Sequence, residues 1–356
     1  MAGTVYSRLK AFRYTDRLAA IAAGGAAPSP VHVRIKPTNV CNHSCWFCAY
    51  RSDSVSLGSG MVARDRIPRE KMREIVDDLV EMGVEAVTFS GGGEPLIYPH
   101  IVETVERLAA GGVRIGALTN GSRLRGKVAE AFARHGTWLR VSIDGWDGPS
   151  YARSRRVGED AFESMLGNLA DFARRGSACA LGASVIVDES NAPHLFELSR
   201  RLKEAGVGHV KLAPCIVRDS GRENDTYHAR IADTVHAEIA RIRGLEDGHF
   251  KVNDHYHALG DRFDRSERRC AMAYLLTIIG ADLDVYTCQD KAYTPGGRLG
   301  SIRDRSFRDF WRSPETAAAL AAIDPSVQCR HHCVSSSKNE LLAEFLTLDP
   351  EHAAFV

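Results

Sequence analysis

The chain has 356 residues, with 46 Lys and Arg against 45 Asp and Glu, and nine cysteines. That length supports a substantial core and two domains. The even charge leaves no basic footprint for nucleic acid or an acidic membrane surface, and no apolar run reaches the length of a membrane-spanning helix.

In chain order, residues 1–30 read as an N-terminal extension. Its Ala- and Gly-rich run 18–27 is only weakly apolar and is expected to be a helix fraying at Pro28 and Pro30, not a signal peptide. From 31 to 217, β-rich runs alternate with amphipathic stretches. Strands are expected at 31–35, 86–90, 114–118, 138–143, 181–187 and 210–212, and helices near 69–83, 98–111, 126–135, 160–175 and 193–206. Gly83, Gly136, Gly176 and Gly206 stand where such helices end. Six βα units predict a parallel sheet with right-handed crossovers, either open or a partial barrel, over 31–245. One helix is expected over 227–243. Residues 246–268 read as a linker whose His249, His255 and His257 are solvent-exposed, and 269–356 as a small cysteine-rich domain ending in a helix.

The segments after the strands are unusual. The first strand runs into Cys41-x3-Cys45-x2-Cys48, the second into Gly91-Gly92-Gly93-Glu94-Pro95, the third into Thr119-Asn120-Gly121, the fourth into Asp144-Gly145 and the sixth into Pro214-Cys215. All fall at the carboxyl ends of strands, where α/β folds place their sites. Three thiolates on one short loop can hold three corners of a four-iron cluster and leave the fourth iron open to a substrate. Full four-cysteine ligation suits electron transfer instead. A zinc site with His43 is the alternative for the cysteines alone, but it leaves Gly91–Pro95 unexplained.

The cysteine loop and the Gly92-Gly93-Glu94-Pro95 segment together resemble the radical S-adenosylmethionine (SAM) superfamily, whose core is a partial (β/α)6 barrel. The resemblance implies a four-iron, four-sulfur ([4Fe-4S]) cluster on Cys41, Cys45 and Cys48, with SAM chelated at the open iron. It implies that Gly92, Gly93 and Glu94 hold the SAM amino group, that Phe47 abuts the adenine, and that Ser142 helps hold SAM; Asn120, on the same strand-end face, is a further polar candidate. An arginine among Arg153, Arg155 and Arg156, with Arg155 favoured, would meet the SAM carboxylate. Reductive cleavage would then give methionine and a 5′-deoxyadenosyl radical that abstracts hydrogen from substrate. The electron would come from a carrier such as a flavodoxin or ferredoxin, in the reducing cytoplasm that nine clustered cysteines suggest.

Cys270-x9-Gly280-x7-Cys288, then Gly300-Ser301-Ile302 with Phe307 and Trp311, then Cys329-x3-Cys333, resembles the SPASM/twitch extension of that superfamily. Four cysteines suffice for one auxiliary [4Fe-4S] cluster, with zinc and the intervening His331 and His332 as the alternative. Leu283 takes a hairpin position usually held by Gly, so a different turn is expected there. Cys179 reads as a core residue. Cys215, at the end of the sixth strand, is either a catalytic hydrogen-atom donor or a buried structural thiol.

The sequence therefore leads us to expect oxidation or epimerisation of a small polar, carbohydrate-like metabolite such as an aminocyclitol, sugar or nucleoside. Cross-linking of a ribosomally made peptide is the runner-up, weakened by the roughly 30 residues before the first strand, too few for a leader-binding domain. A non-catalytic metal-binding role comes last.

Overall fold

The computed structural model describes residues 6–52, 55, 57–256, 263–349 and 351–355. After a helix α1 (Thr15–Ala23), βα units follow in sequence: β1 (His32–Ile35), α2 (Arg69–Glu81), β2 (Ala86–Phe89), α3 (Ile101–Ala110), β3 (Arg114–Thr119), α4 (Gly126–His135) and β4 (Gly136–Ser142). Two helices, α5 (Gly148–Arg155) and α6 (Asp160–Ala173), precede β5 (Ala180–Val187), α7 (Leu195–Glu204) and β6 (His209–Pro214). Strands β1 to β6 lie side by side in chain order, all parallel.

Period-two alternation sets the faces. Val33, Ile35, Val87, Phe89, Ile115, Ala117, Leu139, Val141, Ala183, Val185, Val210 and Leu212 are buried to 1% exposure or less, and this apolar face takes the helices. The opposite face carries His32, Arg34, Arg140, His209 and Lys211. It is polar but lined close: a Cβ on Gly116 would strike the Trp138 ring, and one on Gly182 the His209 ring. Tyr6 reaches this face from the N-terminal extension, its hydroxyl 3.1 Å from His209 Nε2 and accepting from Arg140 at 3.3 Å.

The structure departs from the sequence expectation in four places. The helix over 227–243 is two, α8 (Gly221–Ala229) and α9 (Ala232–Arg243). The linker 246–268 contains a strand, β7 (Lys251–Asp254), which pairs parallel with β6. His249 and His255 flank it, the His255 N–H donating to the Leu212 carbonyl at 2.9 Å; His257 lies outside the described residues.

The cysteine-rich part also joins the sheet. After α10 (Met272–Leu275), β8 (Leu276–Ile279) pairs parallel with β1, and β9 (Asp284–Tyr286) and β10 (Arg298–Ser301) continue antiparallel. Ten strands thus form one sheet in the order β10-β9-β8-β1-β2-β3-β4-β5-β6-β7. Four helices complete the chain: α11 (Phe307–Trp311), α12 (Pro314–Ala321), α13 (Pro325–Gln328) and α14 (Ser336–Leu346). Finally, the hairpin turn before β9 keeps the backbone that glycine would adopt, because Leu283 itself takes φ +66°. Burial of its side chain in the core offsets a left-handed penalty of about 1–2 kcal/mol. No described helix is long and apolar enough to cross a membrane.

Candidate active site

The loop after β1 is held from two sides. From below, Gly93 N–H donates to the Thr38 carbonyl at 3.1 Å and Glu94 N–H to the Val40 carbonyl at 2.9 Å. From above, Ser44 N–H donates to the Arg155 carbonyl at 3.0 Å and Trp46 N–H to the Ser154 carbonyl at 3.3 Å. The cysteine loop therefore satisfies the carbonyls that α5 leaves open at its C-terminus. Helix α5 is specified by a capping box, with the Asp147 side chain accepting from Ser150 N–H and Ser150 reciprocating.

Cys41, Cys45 and Cys48 are half-buried free thiols on this loop. Burial raises the Cys41 thiol and pushes Cys45 up to about 11, and Cys48 adds to both shifts, so the three sulfurs stand close enough to repel as thiolates. A bound cation reverses that repulsion and favours the ligating thiolate. A single zinc ion would instead draw its thiolates to about 3.8 Å of one another. Among the described residues no group of three or more His, Cys, Asp and Glu is gathered to hold one metal ion. In a four-iron cluster each thiolate takes a different iron, which spaces the ligands more widely.

The glycine segment fits closely beneath. A Cβ on Gly93 would lie 2.0 Å from the Val40 carbonyl oxygen, and one on Gly92 2.2 Å from Asn39 Oδ1. Glu94 is 2% exposed. Its Oε1 accepts from Leu96 N–H (2.9 Å) and the Thr119 hydroxyl (2.6 Å), and its Oε2 from Asn120 N–H (2.7 Å). Two oxygens offer about four lone-pair directions, so one on Oε2 is left for a ligand donor. Asn120 in turn donates to Asn42 Oδ1 at 2.9 Å, joining the third strand's loop to the cysteine loop.

Of the three competing arginines, Arg155 is the buried one. Its guanidinium pairs with the Asp144 carboxylate, the two side chains being 2% and 1% exposed. It also donates to the Ser142 hydroxyl at 3.0 Å, lies 3.8 Å from Cys45 Sγ, and stands over the rings of Phe47 (5.6 Å) and Tyr151 (5.4 Å). Ser142, Arg155, Phe47 and Cys45 are thus one group. Asp144 Oδ1 accepts from Ile186 N–H at 2.7 Å. Buried polar atoms that lack protein partners collect here: His43 Nδ1, Tyr151 Oη and Arg155 Nε, with the His43 and Tyr151 rings 6.1 Å apart. Buried polar groups are rarely left unpaired, so this wall suits a polar ligand beside the cysteines. Burial lowers His43 to about 4, which leaves a neutral imidazole.

Lysine in a β-strand sequence reads as surface, yet Lys36, directly after β1, is fully buried. Its Nζ donates to the Tyr50 hydroxyl (2.7 Å), the Gly91 carbonyl (3.0 Å) and Gln289 Oε1 (3.4 Å), and lies 4.3 Å from the Tyr50 ring centroid. Gln289 adjoins Cys288, so Lys36 ties the first cysteine loop to the second cysteine region. There Cys270, Cys288 and the Cys329/Cys333 pair come together from three segments. Burial pushes Cys270 up to about 12 and Cys333 to about 11, and Cys288 well up, with Cys333 and Cys270 contributing to Cys288. The His331 Nε2 in the same region is buried without a partner.

Beside the first cysteine loop lies a cleft of about 620 Å³, in the range of small-molecule and peptide sites. Trp46 and Phe47 form one wall. Ile216, Val217 and Arg218, after β6, and one face of α8 form the other. Loops after β1 and β6, five positions apart in the sheet, line the same space, as they do when a sheet curls into a half-barrel. Cys215 is one residue behind this wall and 2% exposed. Burial pushes its thiol up to about 12, so it is S–H at neutral pH. Cys179 is buried at the other end of the sheet, against Gly136.

Comparison with known proteins agrees with this architecture. Mycofactocin maturase MftC of Mycobacterium tuberculosis is 24% identical over 324 residues, 86% of this chain and 79% of the relative. GTP 3′,8-cyclase of Aeromonas hydrophila is 27% identical over 64% of this chain and 68% of the relative. The structure of Streptococcus suis SuiB bound to S-adenosylmethionine superposes with a TM-score of 0.64 at 14% identity, covering 91% of this chain and 77% of SuiB, a likeness of fold. The sequence model of the radical SAM superfamily matches residues 35–191, from the strand before the three-cysteine loop to the segment after β5. By that match, residues 35–191 of the chain are a radical SAM domain.

Proposed function

We propose that this radical SAM enzyme modifies a peptide. The observation that carries the reading is the similarity to mycofactocin maturase, which runs through 86% of this chain and so extends past the barrel into the cysteine-rich region. SuiB, of like fold, has been crystallised with its precursor peptide SuiA. The cleft beside Trp46 and Phe47 supplies room for a chain segment.

Cys41, Cys45 and Cys48 would hold the first cluster, and Cys270, Cys288, Cys329 and Cys333 one auxiliary cluster. When bound, the first cluster and SAM supply one-electron cleavage of the sulfonium and hydrogen-atom abstraction. The chain's own residues position and shield. Glycine backbone and the free direction on Glu94 Oε2 receive the amino group. Arg155, fixed by Asp144 and Ser142, faces the carboxylate, and Phe47 packs on the adenine. The buried wall of His43 and Tyr151 excludes water from the reacting carbon.

A second reading, oxidation or epimerisation of a small polar metabolite, draws on Cys215, which burial keeps as the S–H form that a hydrogen donor requires. The two are separated by one experiment. The protein is reconstituted anaerobically with iron and sulfide, reduced with dithionite and given SAM. It is then offered peptides translated from short reading frames beside its gene, or a panel of sugars, aminocyclitols and nucleosides. We expect about eight irons, falling to about four in a Cys41/Cys45/Cys48→Ala variant, and 5′-deoxyadenosine from the wild type alone. A peptide that loses a pair of hydrogens supports the first reading. Turnover of a metabolite with unchanged peptides overturns it.

A further inference from the structure

The cleft carries a clear positive excess, although the chain as a whole is nearly balanced at +1. Among the described residues its lining holds Arg218, Arg222 and Arg230 against one acid, Glu223. Arg222, Thr226 and Arg230 fall at i, i+4 and i+8, one face of α8 and its end, so the two arginines leave the backbone about 12 Å apart along the helix. Glu223 offsets little of this: it meets Arg218 only at 3.9 Å, with both side chains more than half exposed. Arg230 stands over the Tyr227 ring at 5.3 Å. The acids Asp219 and Asp225 of the same stretch are not in the lining. Helix α8 is itself fixed, because His228 Nε2 lies 2.8 Å from the Cys215 carbonyl and Glu189 N–H donates to the Tyr227 hydroxyl at 2.9 Å. Across the cleft stands Trp46, 44% exposed despite its size.

A guanidinium row is built for carboxylate or phosphate, which it meets with paired N–H donors. Its length discriminates among occupants. At about 3.3 Å per residue, 12 Å is spanned by roughly four residues of extended chain, whereas a single sugar ring meets one arginine. On the reading that the enzyme modifies a peptide, we infer that the cleft between the cysteine loop and α8 binds an extended acidic stretch of the substrate, with Asp or Glu side chains set against Arg222 and Arg230. An apolar or aromatic residue of the same stretch rests on Trp46. The acidic residues therefore lie beside the residue that reacts, and neutral or basic substrates are rejected by the same arginines.

The test needs no turnover. The reconstituted holoprotein is titrated against fluorescein-labelled peptides of alternating Gly and Glu, of alternating Gly and Gln, and against unlabelled tripolyphosphate as competitor, with binding read by anisotropy. We expect the Glu peptide to bind, more weakly as salt rises, and the Gln peptide to bind at least about tenfold more weakly. Arg222→Glu/Arg230→Glu should lose the preference for Glu over Gln, and Arg222→Gln/Arg230→Gln should lose part of it, with iron content and melting temperature as wild type. Equal binding of Glu and Gln peptides, or a preference that survives both variants, overturns the inference. Tripolyphosphate that displaces both labelled peptides and is held far more tightly than either also overturns it, in favour of a nucleotide. If the Glu peptide binds as expected but no peptide is ever modified, the cleft assignment stands and the peptide-modifying reading falls.

Discussion

Asp144 and Arg155 form a buried ion pair whose two sides respond differently to pH when broken. Asp144→Asn keeps the acceptor for Ile186 N–H but leaves a guanidinium, 2% exposed, beside a neutral amide. Arginine does not deprotonate in proteins, so the charge stays. Removing one partner of a buried pair costs about 3–5 kcal/mol. The Ser142 hydroxyl and the Phe47 and Tyr151 rings still face Arg155, which puts the expectation at the lower end, about 3 kcal/mol. For a chain of this length that corresponds to a fall of about 5 °C in melting temperature, little changed between about pH 5 and about pH 8. Arg155→Met strands the carboxylate instead. Burial already raises Asp144, with Arg155 the largest opposing influence. Without it the folded-state pKa rises further above the unfolded value. The folded variant then binds the extra proton, so its stability falls as pH rises through that interval and recovers as pH falls. Melting curves of both reconstituted variants and wild type at the two pH values decide the matter. An Arg155→Met deficit that does not shrink toward pH 5, or an Asp144→Asn deficit under about 1 kcal/mol, would refute the reasoning.

Gly93→Ala sets a Cβ 2.0 Å from a backbone oxygen that cannot step aside; SAM affinity by calorimetry should fall at least about tenfold. Gly167→Ala, in α6 with nothing within 4 Å of the new Cβ, should instead raise stability by up to about 1 kcal/mol. Burial holds Lys36 well below the ordinary lysine range, so the folded wild type binds fewer protons there than the unfolded chain and gains stability as pH rises. The melting temperature of Lys36→Met relative to wild type should therefore be more favourable at about pH 6 than at about pH 9, and a difference independent of pH would count against a buried amine. Cys215→Ala should retain 5′-deoxyadenosine and peptide product in a coupled assay; retained 5′-deoxyadenosine with lost product would assign the thiol as a hydrogen donor.

The strands and the loops at their carboxyl ends were legible because cysteine spacing and consecutive glycines are local signals that survive without tertiary context. Helix α5, which carries Arg155 to Cys45, was not foreseen. It has eight residues and no apolar stripe, although its Asp147–Ser150 capping box with Pro149 is written in the chain. Strand β7 was missed because Lys-Val-Asn-Asp at a sheet edge lacks the alternation of a half-buried strand. Lys36 was invisible for a different reason: its burial depends on Tyr50 and Gln289, the latter far along the chain. The arginine face of α8 needed the helix split at Arg230, since one long helix over 227–243 would leave Arg222 outside it.

The pairing of β1 with β8 has a consequence for biosynthesis. His32 finds Leu276 across the sheet, so one side of β1 waits for about 240 further residues, roughly 10–50 s of translation. During that interval the nascent chain presents an open strand edge directly before its three-cysteine loop, and such edges recruit other chains. Truncation before Leu276 leaves that edge permanently bare. Chaperone supply during synthesis should therefore raise the yield of full-length protein more than added iron does, because the edge must close before the loop beside it has a settled frame to load.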